Sequence, residues 1–525
     1  MTSPSPAPFL TNRQTASVAP VPVPEEPLTG PFATVVELFD ATVEVAGDVE
    51  AFVDGDRRVT FAEWGRAADG VATRLAAMGV GADDVVGIAL PSSIDYAVAY
   101  QAVLRLGAIA SGMNPRLGAA ETAHILERSA PRVVVTDADL PDASPRLTVA
   151  ELREAATDRA FTARPDRHRT DPVAIVWTSG TTGRPKGALF DHGCLEAMTR
   201  AAGPLSRPGD RRLSPLPFAH VGYMTRVWDE LAHVITTVII PTPWTAADAL
   251  RLIGAERVTV GQGVPAQWQM MLSHPDLAAT DTSSLRIVSL GAARVPPELP
   301  PAMRHAFGCP VVVRYTSTEA CVSTGTALDD PDDVVSETVG TPGAGVEMEL
   351  RGDDGRGPVV AIGSVGTVCL RSRAMFRRYW REPELTDAAV DPEGWLLTGD
   401  LGSLDERGDL RLAGRSTEMY IRGGYNVYPV EVENHLGLHP AVDRVAVVGT
   451  VAPVLGEIGV AFVVPADGAR PELGDLRLWC KEQLADYKAP DCLVFLDELP
   501  LTPMSKIDKR ALAPAAAQAE KAWER

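Results

Sequence analysis

Trp177-Thr178-Ser179-Gly180-Thr181-Thr182-Gly183-Arg184-Pro185-Lys186-Gly187 packs three glycines, four hydroxyls and one lysine into eleven residues, directly after the apolar run Val173-Ala174-Ile175-Val176. The run is short, β-branched and bounded by Asp171-Pro172, which suits a buried strand better than a helix. A strand opening into a Gly/Thr/Ser loop offers backbone N–H groups, hydroxyls and an ammonium to a polyphosphate. An ordinary polar turn would account for Gly183-Arg184-Pro185 but not for the hydroxyl cluster beside a lysine. The common phosphate loop G-x-x-x-x-G-K-[ST] does not fit: counted from Gly180, its second glycine falls on Pro185, and Gly187 stands where Ser or Thr belongs. A G-x-G-x-x-G loop is absent too. The loop is a phosphate binder of another kind, and its identity has to come from the rest of the chain.

On either side of this loop, helical stretches alternate with short apolar strands. Ala62 to Met78 reads as a helix, Val85 to Leu90 as a strand, Ile94 to Leu106 as a helix and Arg132 to Val135 as a strand. Val35, Leu38 and Phe39 mark one helical face, and residues 51–60 a hairpin around Asp54-Gly55-Asp56. Beyond the loop come Val238-Ile239-Ile240, Val258-Thr259-Val260, Leu285 to Leu290 and Val311-Val312-Val313. Such alternation predicts an α/β fold with helices packed on β-sheets.

In sheets of this kind ligands gather where strands end. Gly291-Ala292-Ala293-Arg294 and Thr316-Ser317-Thr318-Glu319 are two such ends, though each alone reads equally well as a strand-to-helix turn. Asp400, next to Gly399 after the apolar Trp395-Leu396-Leu397, is placed to accept from a sugar diol; alone it is as readily a turn aspartate. Lys506 sits on a Pro-flanked loop, where a lone lysine is usually a solvated one. His435 and His439 stand at i,i+4 but lack an H-E-x-x-H pattern and a third ligand, so no zinc site is expected. No G-x-S-x-G elbow supports a serine nucleophile.

Composition narrows the class. With 525 residues, 45% hydrophobic and 22% charged, the chain has the makings of several globular cores rather than disorder. A net charge of −20 disfavours nucleic acid and anionic membranes as general partners, so an anionic ligand needs locally gathered donors. Six scattered cysteines without a C-x-x-C pair suit a reducing cytoplasmic setting. No basic-then-apolar leader is evident, and no apolar run approaches a membrane span. The Pro/Ser/Thr-rich residues 1–31 read as a disordered leader, 32–413 as a large domain, 414–418 as a polar connector, and 419–525 as a small domain with its own apolar pattern.

Taken in order, TSGTTGRPKG at Thr178–Gly187, YTSTE at Tyr315–Glu319, TGD at Thr398–Asp400, GR at Gly414–Arg415, GGYNVYPVEVE at Gly423–Glu433 and the late Lys506 resemble the AMP-forming adenylating superfamily of acyl-CoA synthetases, aryl-CoA ligases, luciferases and adenylation domains. The resemblance covers the chain from about Phe32 onward. It implies a large N-terminal domain, a small mobile C-terminal lid and a site between them. It further implies that Thr178, Ser179, Gly180, Thr181, Thr182 and Lys186 hold ATP phosphates, that Glu319 binds Mg²⁺, and that Thr318 contacts the phosphates. Gly291, Ala292 and Ala293 with Tyr315 and Thr316 would form the adenine site, and Asp400 with Arg415 would bind the ribose. Lys506 would reach the carboxylate and α-phosphate, and His220 would stand beside the acyl pocket. A hinge near Thr417 and a pantetheine passage along Gly423-Gly424 complete the expectation, with CoA as acyl acceptor.

Departures from that pattern are Thr417 for Asp or Lys at the hinge, Ser505 for the Gly before the lysine, Thr316 for the Gly after the tyrosine, and Arg294 where Pro is common. Ala219 follows Phe218 where amino-acid-activating domains carry Asp, which disfavours amino acids. The lack of an extra block between Glu319 and Thr398 disfavours stand-alone acyl-AMP ligases, although transfer to a carrier protein's phosphopantetheine remains the alternative to CoA. The partners are thus ATP, CoA and a small carboxylic acid. Its pocket is expected from His220 to Arg226, Gly261 to Gln267, Leu290 to Ala293 and Thr316 to Ser317. Arg226 is the only charge there, so these residues demand no second polar group on the acid.

Overall fold

The structure, a computed structural model, describes residues 23–140, 145–157, 161, 164–178, 184–293, 295–422, 425–453, 455–502 and 506–523. The strand before the loop is Pro172–Thr178, and its residues 173–176 are fully buried, as a continuous apolar run should be in a sheet covered on both faces. It pairs in parallel with Ile109–Gly112 and antiparallel with Lys186–Asp191, which brings Thr178 opposite Lys186. These strands belong to a seven-stranded sheet that also holds Val85–Ile88, Val133–Val135, Arg146–Leu147 and Arg378–Tyr379.

A second, nine-stranded sheet runs, in spatial order, Thr341–Pro342, Cys321–Gly325, Val311–Ser317, Ile287–Gly291, Val260–Gly263, Arg211–Ser214, Thr236–Ile239, Glu50–Asp54 and Arg57–Thr60. Its inner pairs are parallel, and each edge is closed by an antiparallel hairpin. The long helices Phe61–Ala77 and Ile94–Arg105 fill the space between the sheets, and Ile94–Arg105 is buried along its whole length. A four-stranded antiparallel sheet, Val346–Arg351, Gly366–Ser372, Leu396–Leu404 and Leu410–Arg415, follows.

Two local outcomes differ from the sequence reading. The strand beginning at Val311 continues through Ser317 and returns as Cys321–Gly325, so Thr318 and Glu319 cap a hairpin rather than lead into a helix. The β-branched Thr316 extends the pairing, and the Ser317 hydroxyl accepts from the Ala320 N–H to close the turn. Asp400 lies inside the nine-residue strand Leu396–Leu404, opposite Arg415, rather than beyond its end.

From Tyr420 the chain builds a separate body. The strands Val442–Ala452 and Gly456–Pro465 form its centre, flanked by the hairpin Tyr420–Arg422/Tyr425–Val427 and by Cys492–Phe495. Alternation divides their side chains: Val445, Val447, Ala461 and Val463 face one core with helices Pro429–Leu436 and Leu473–Gln483, while Ala446, Val460 and Phe462 face another with Leu512 and Ala516 of helix Lys509–Trp523. The turn from Arg415 to Glu418 joins this body to the four-stranded sheet. Gly414 just before it has φ +128°, a conformation a side chain would strain. Of the expected leader, residues 1–22 lie outside the described residues, whereas Val23 and Leu28 pack on the core and the Leu28 N–H donates to Ala232 O.

Candidate active site

The site collects where the Val311–Ser317 and Leu396–Leu404 strands and the C-terminal body converge. Tyr315 is buried, and its hydroxyl donates to Asp400 Oδ2 at 2.5 Å. Arg415, paired across the strands, reaches Asp400 Oδ1 with its Nε at 2.9 Å. The carboxylate is thus held at both oxygens, each with a lone pair left for a further donor. Burial, then the Asp400 charge, pushes the Tyr315 phenol well above its ordinary range, so it remains a donor. The backbone at Gly291 passes so close to Arg314 that a Cβ would lie 2.3 Å from Arg314 O, and Ala292 beside it has φ +61°. Only glycine fits the first position.

Glu319 is tied in at two points. Its carbonyl accepts from the Phe376 N–H at 2.8 Å, and its Oε1 accepts from the Tyr379 hydroxyl at 2.7 Å. The other face of Tyr379 carries the Lys186 ammonium, 5.2 Å from the ring centre. Tyr379 therefore bridges the end of the opening loop to Glu319, a role the sequence did not reveal; its sole sequence signal was an aromatic pair, Tyr379-Trp380, in an otherwise charged stretch. Thr178 ends its strand opposite Lys186, and Thr316 and Thr318 lie half-buried beside Glu319. Ser179, Gly180, Thr181 and Thr182 lie outside the described residues, as do Arg294, Gly423, Gly424 and Ser505.

Lys506 arrives from the C-terminal body on a loop closed by the Thr502 N–H donating to Lys506 O at 2.7 Å, by the Lys506 N–H donating to the Thr502 hydroxyl at 3.2 Å, and by a Leu501–Ile507 bridge. The residue keeps solvent access at the cleft mouth, yet it is crowded by protein. Burial is the first cause lowering its ammonium's pKa and Arg415 the second, against Asp400 and Glu319, which raise it. Its charge also reaches His220. Burial, then Lys506, brings that imidazole down to about 4, so it is neutral near pH 7. His220 Nε2 lies 3.1 Å from Asn114 Nδ2, a partner the sequence reading did not single out. Lys506, His220, Glu319, Asp400 and Arg415 are thereby brought into one cleft from parts of the chain up to 286 residues apart (506 − 220).

Such a cleft combines a carboxylate fit for sugar hydroxyls, a carboxylate fit for a hard cation, and two fixed cations fit for an oxyanion. Among the described residues no group of three His, Cys, Asp or Glu side chains could hold a metal ion. His435 and His439 instead rest on Trp479, with His435 Nε2 2.7 Å from the Trp479 carbonyl. All six cysteines are unpaired and buried. No helix among the described residues is long and apolar enough to cross a membrane.

Several known proteins share this sequence and fold. A long-chain-fatty-acid–CoA ligase of Mycobacterium tuberculosis, FadD13, is 34% identical over 504 residues, spanning 91% of this chain and 96% of that protein. A feruloyl-CoA synthase from an Amycolatopsis species is 32% identical over 87% of this chain and 93% of its own length. The ATP-bound structure of MatB from Rhodopseudomonas palustris superposes with a TM-score of 0.85 at 28% identity, covering 92% of this chain and 99% of that one. The model for AMP-binding enzymes matches residues 39–380, and that for the AMP-binding enzyme C-terminal domain matches 431–506. The chain belongs to the AMP-binding enzyme family.

Proposed function

We propose that the protein is an AMP-forming acyl-CoA ligase. It joins a carboxylic acid to the AMP moiety of ATP with release of pyrophosphate, then passes the acyl group to the CoA thiol with release of AMP. The observation that carries this reading is Lys506, delivered by the C-terminal body into a cleft already holding Glu319, Asp400 and Arg415. The named relatives, all acid–CoA ligases or synthases, support it.

In the first step a carboxylate oxygen of the acid bonds to the α-phosphorus and the bond to the pyrophosphate oxygen breaks. Asp400, steadied by Tyr315 and Arg415, accepts from the ribose hydroxyls, and Gly291 to Ala293 with Tyr315 and Thr316 enclose adenine. Lys506 faces the charge that builds between carboxylate and α-phosphate, where a preorganised cation gains most. Thr178 to Thr182, Lys186 and Thr318 hold the departing pyrophosphate. Glu319 has one oxygen committed to Tyr379 and one left. That donor set fits Mg²⁺, which takes one or two carboxylates plus phosphate and water oxygens; when bound it neutralises phosphate charge.

In the second step the thiol sulfur bonds to the acyl carbon, AMP leaves, and the thiol proton is lost. Turning the C-terminal body about Thr417 withdraws Lys506 and presents Gly423-Gly424 to the pantetheine arm. Neutral His220 stands beside the acyl carbon without adding a charge there. The unpaired cysteines support a reducing cytoplasmic setting.

The test is pyrophosphate and AMP release across a panel of carboxylic acids, with and without CoA. Acid-dependent pyrophosphate without CoA, and a CoA thioester with it, is the expected result. Pyrophosphate release without any CoA-dependent thioester would direct the acyl group to a carrier-protein phosphopantetheine instead.

A further inference from the structure

The segment that begins at His220 ends in a buried ionic cluster that the two-step chemistry does not use. Asp229, wholly buried in the helix Val227–Ala232, accepts from the Ser206 hydroxyl at 2.7 Å, from Arg212 Nη2 at 2.9 Å and from Arg226 Nη2 at 3.0 Å. His233 Nδ1 lies 3.1 Å from its other oxygen. Glu230 accepts from the Thr237 hydroxyl at 3.3 Å and lies 3.8 Å from Arg212, with its Oε2 unpartnered.

Arg314 completes the group and differs from the rest. It is 9% exposed and, among the described residues, makes no hydrogen bond or ion pair and leaves Nε and Nη2 buried without partners. Its guanidinium lies across Gly325, where a Cβ would come within 2.1 Å of Nη1. Arg226 Nε is unpartnered among the described residues as well, and burial first, then the Arg226 charge, lowers the Arg314 pKa to about 10.

Arg212 and Arg226 are matched by two carboxylates, Asp229 and Glu230, whereas no carboxylate among the described residues pairs with the buried Arg314. Protonating His233 would only widen the positive excess. Burial raises Glu230 to about 7, which deepens the shortage of negative charge further. Ordered water can satisfy N–H groups but cannot balance a buried charge; an anion does both.

Arg314 adjoins the expected acyl pocket: its Cβ lies 3.5 Å from where a Cβ on Gly291 would stand. Arg226 closes the His220–Arg226 segment, and Thr225 before it touches Cys321 Sγ at 3.8 Å. Cys321 shares the strand Cys321–Gly325 with Gly325, under Arg314, and with Ser323, whose buried hydroxyl is also unpartnered. Arg314 immediately precedes Tyr315, which holds Asp400.

Resting on the acyl-CoA ligase reading, we propose that the substrate is a short dicarboxylic acid: one carboxylate is activated at Lys506, while Arg314 and Arg226 bind the other. His220 and Arg226 are separated by six residues of mostly helical chain, about 9 Å of rise. A gap of that order favours a spacer of a few carbons.

The test compares α,ω-dicarboxylic acids from malonate to pimelate with their monomethyl half-esters, which keep the reactive carboxylate and remove the distal charge. AMP and acyl-CoA formation are measured with the full-length enzyme, ATP and CoA. The best diacid should exceed its half-ester in kcat/KM by about thirtyfold or more, the usual scale for truncating one partner of a buried charge pair. Arg314→Met should remove most of that preference, lowering kcat/KM for the diacid far more than for the half-ester, and Arg314→Lys should retain part of it. Equal use of diacid and half-ester by the wild type, or an equal loss of both in Arg314→Met, overturns the proposal. The wild-type comparison decides the matter even if Arg314→Met fails to fold. If no acid of either kind yields AMP, the ligase reading itself falls, and this inference with it.

Discussion

Replacing Tyr315 by Phe removes one oxygen from a buried site and leaves the ring in place. The lost hydroxyl donates to Asp400 Oδ2 at 2.5 Å, and Arg415 continues to hold Oδ1 at 2.9 Å. A hydrogen bond to a charged acceptor contributes about 1.5–3 kcal/mol. Because Arg415 keeps the carboxylate partnered, the lower half of that range applies, about 1.5–2 kcal/mol, or roughly a ten- to thirtyfold weakening. The ribose is remote from the reacting phosphorus, so the loss should fall on ground state and transition state alike. It should therefore raise KM for ATP and leave kcat nearly unchanged. The assay is acid-dependent pyrophosphate release against ATP concentration in the absence of CoA, alongside AMP binding by calorimetry. A cycle with Asp400→Asn isolates the pair: with Asp400 neutralised, Tyr315→Phe should cost far less. An unchanged KM for ATP, a loss confined to kcat, or strict additivity in the cycle would refute the assignment of Asp400 to the nucleotide.

Lys506→Ala should lower adenylate formation by about 10²–10³-fold while thioester formation from supplied acyl-adenylate and CoA survives; equal losses in both half-reactions would contradict the role given to the C-terminal body. Glu230 is raised to about 7 in the folded protein from an ordinary 4.5, so its favourable contribution is complete below about pH 4.5 and is lost as pH rises through 7. Glu230→Gln should therefore gain on the wild type in denaturant unfolding between pH 5 and pH 8.5, by up to about 3 kcal/mol; parallel pH curves would count against the buried charge. Lys509 Nζ lies 2.9 Å from Glu418 and 2.8 Å from the nearly buried Glu433. Lys509→Met should destabilise the C-terminal body by about 2–4 kcal/mol by removing the ammonium paired with the nearly buried Glu433. Adding Glu433→Gln should restore much of the loss, and thermal unfolding of the three variants checks this.

The α/β alternation was legible because its strands are buried on both faces and read as unbroken apolar runs, as in Val173 to Val176 and Val311 to Val313. Strand ends were harder. Ser317 and Thr318 look like the start of a helix until the partner strand Cys321–Gly325 is known, and that pairing is tertiary information. In the cleft, Lys506, Glu319, Asp400 and Arg415 stood out through ordered motifs. Tyr379 and Asn114 did not, because an aromatic pair in a charged stretch and a lone asparagine are too common to mark a site. Arg314 is the clearest case: an arginine on a strand ordinarily implies a solvent-facing side, yet this one is buried.

Lys509 stands three residues beyond Lys506, and its ion pairs tie the start of the last helix to both Glu418 and Glu433. In mechanical terms the C-terminal body is a lever whose pivot is clamped from one side. Glu418, Glu433 and the start of the last helix are braced together, so the proposed turning would fall on Ser416 and Thr417, between the clamp and Arg415. A pivot two residues long carries its tip through a wide arc with little distortion elsewhere. On the proposed two-step reading, residue 417 would then set the timing: the stiffness of that joint would govern how quickly one chemical step gives way to the next.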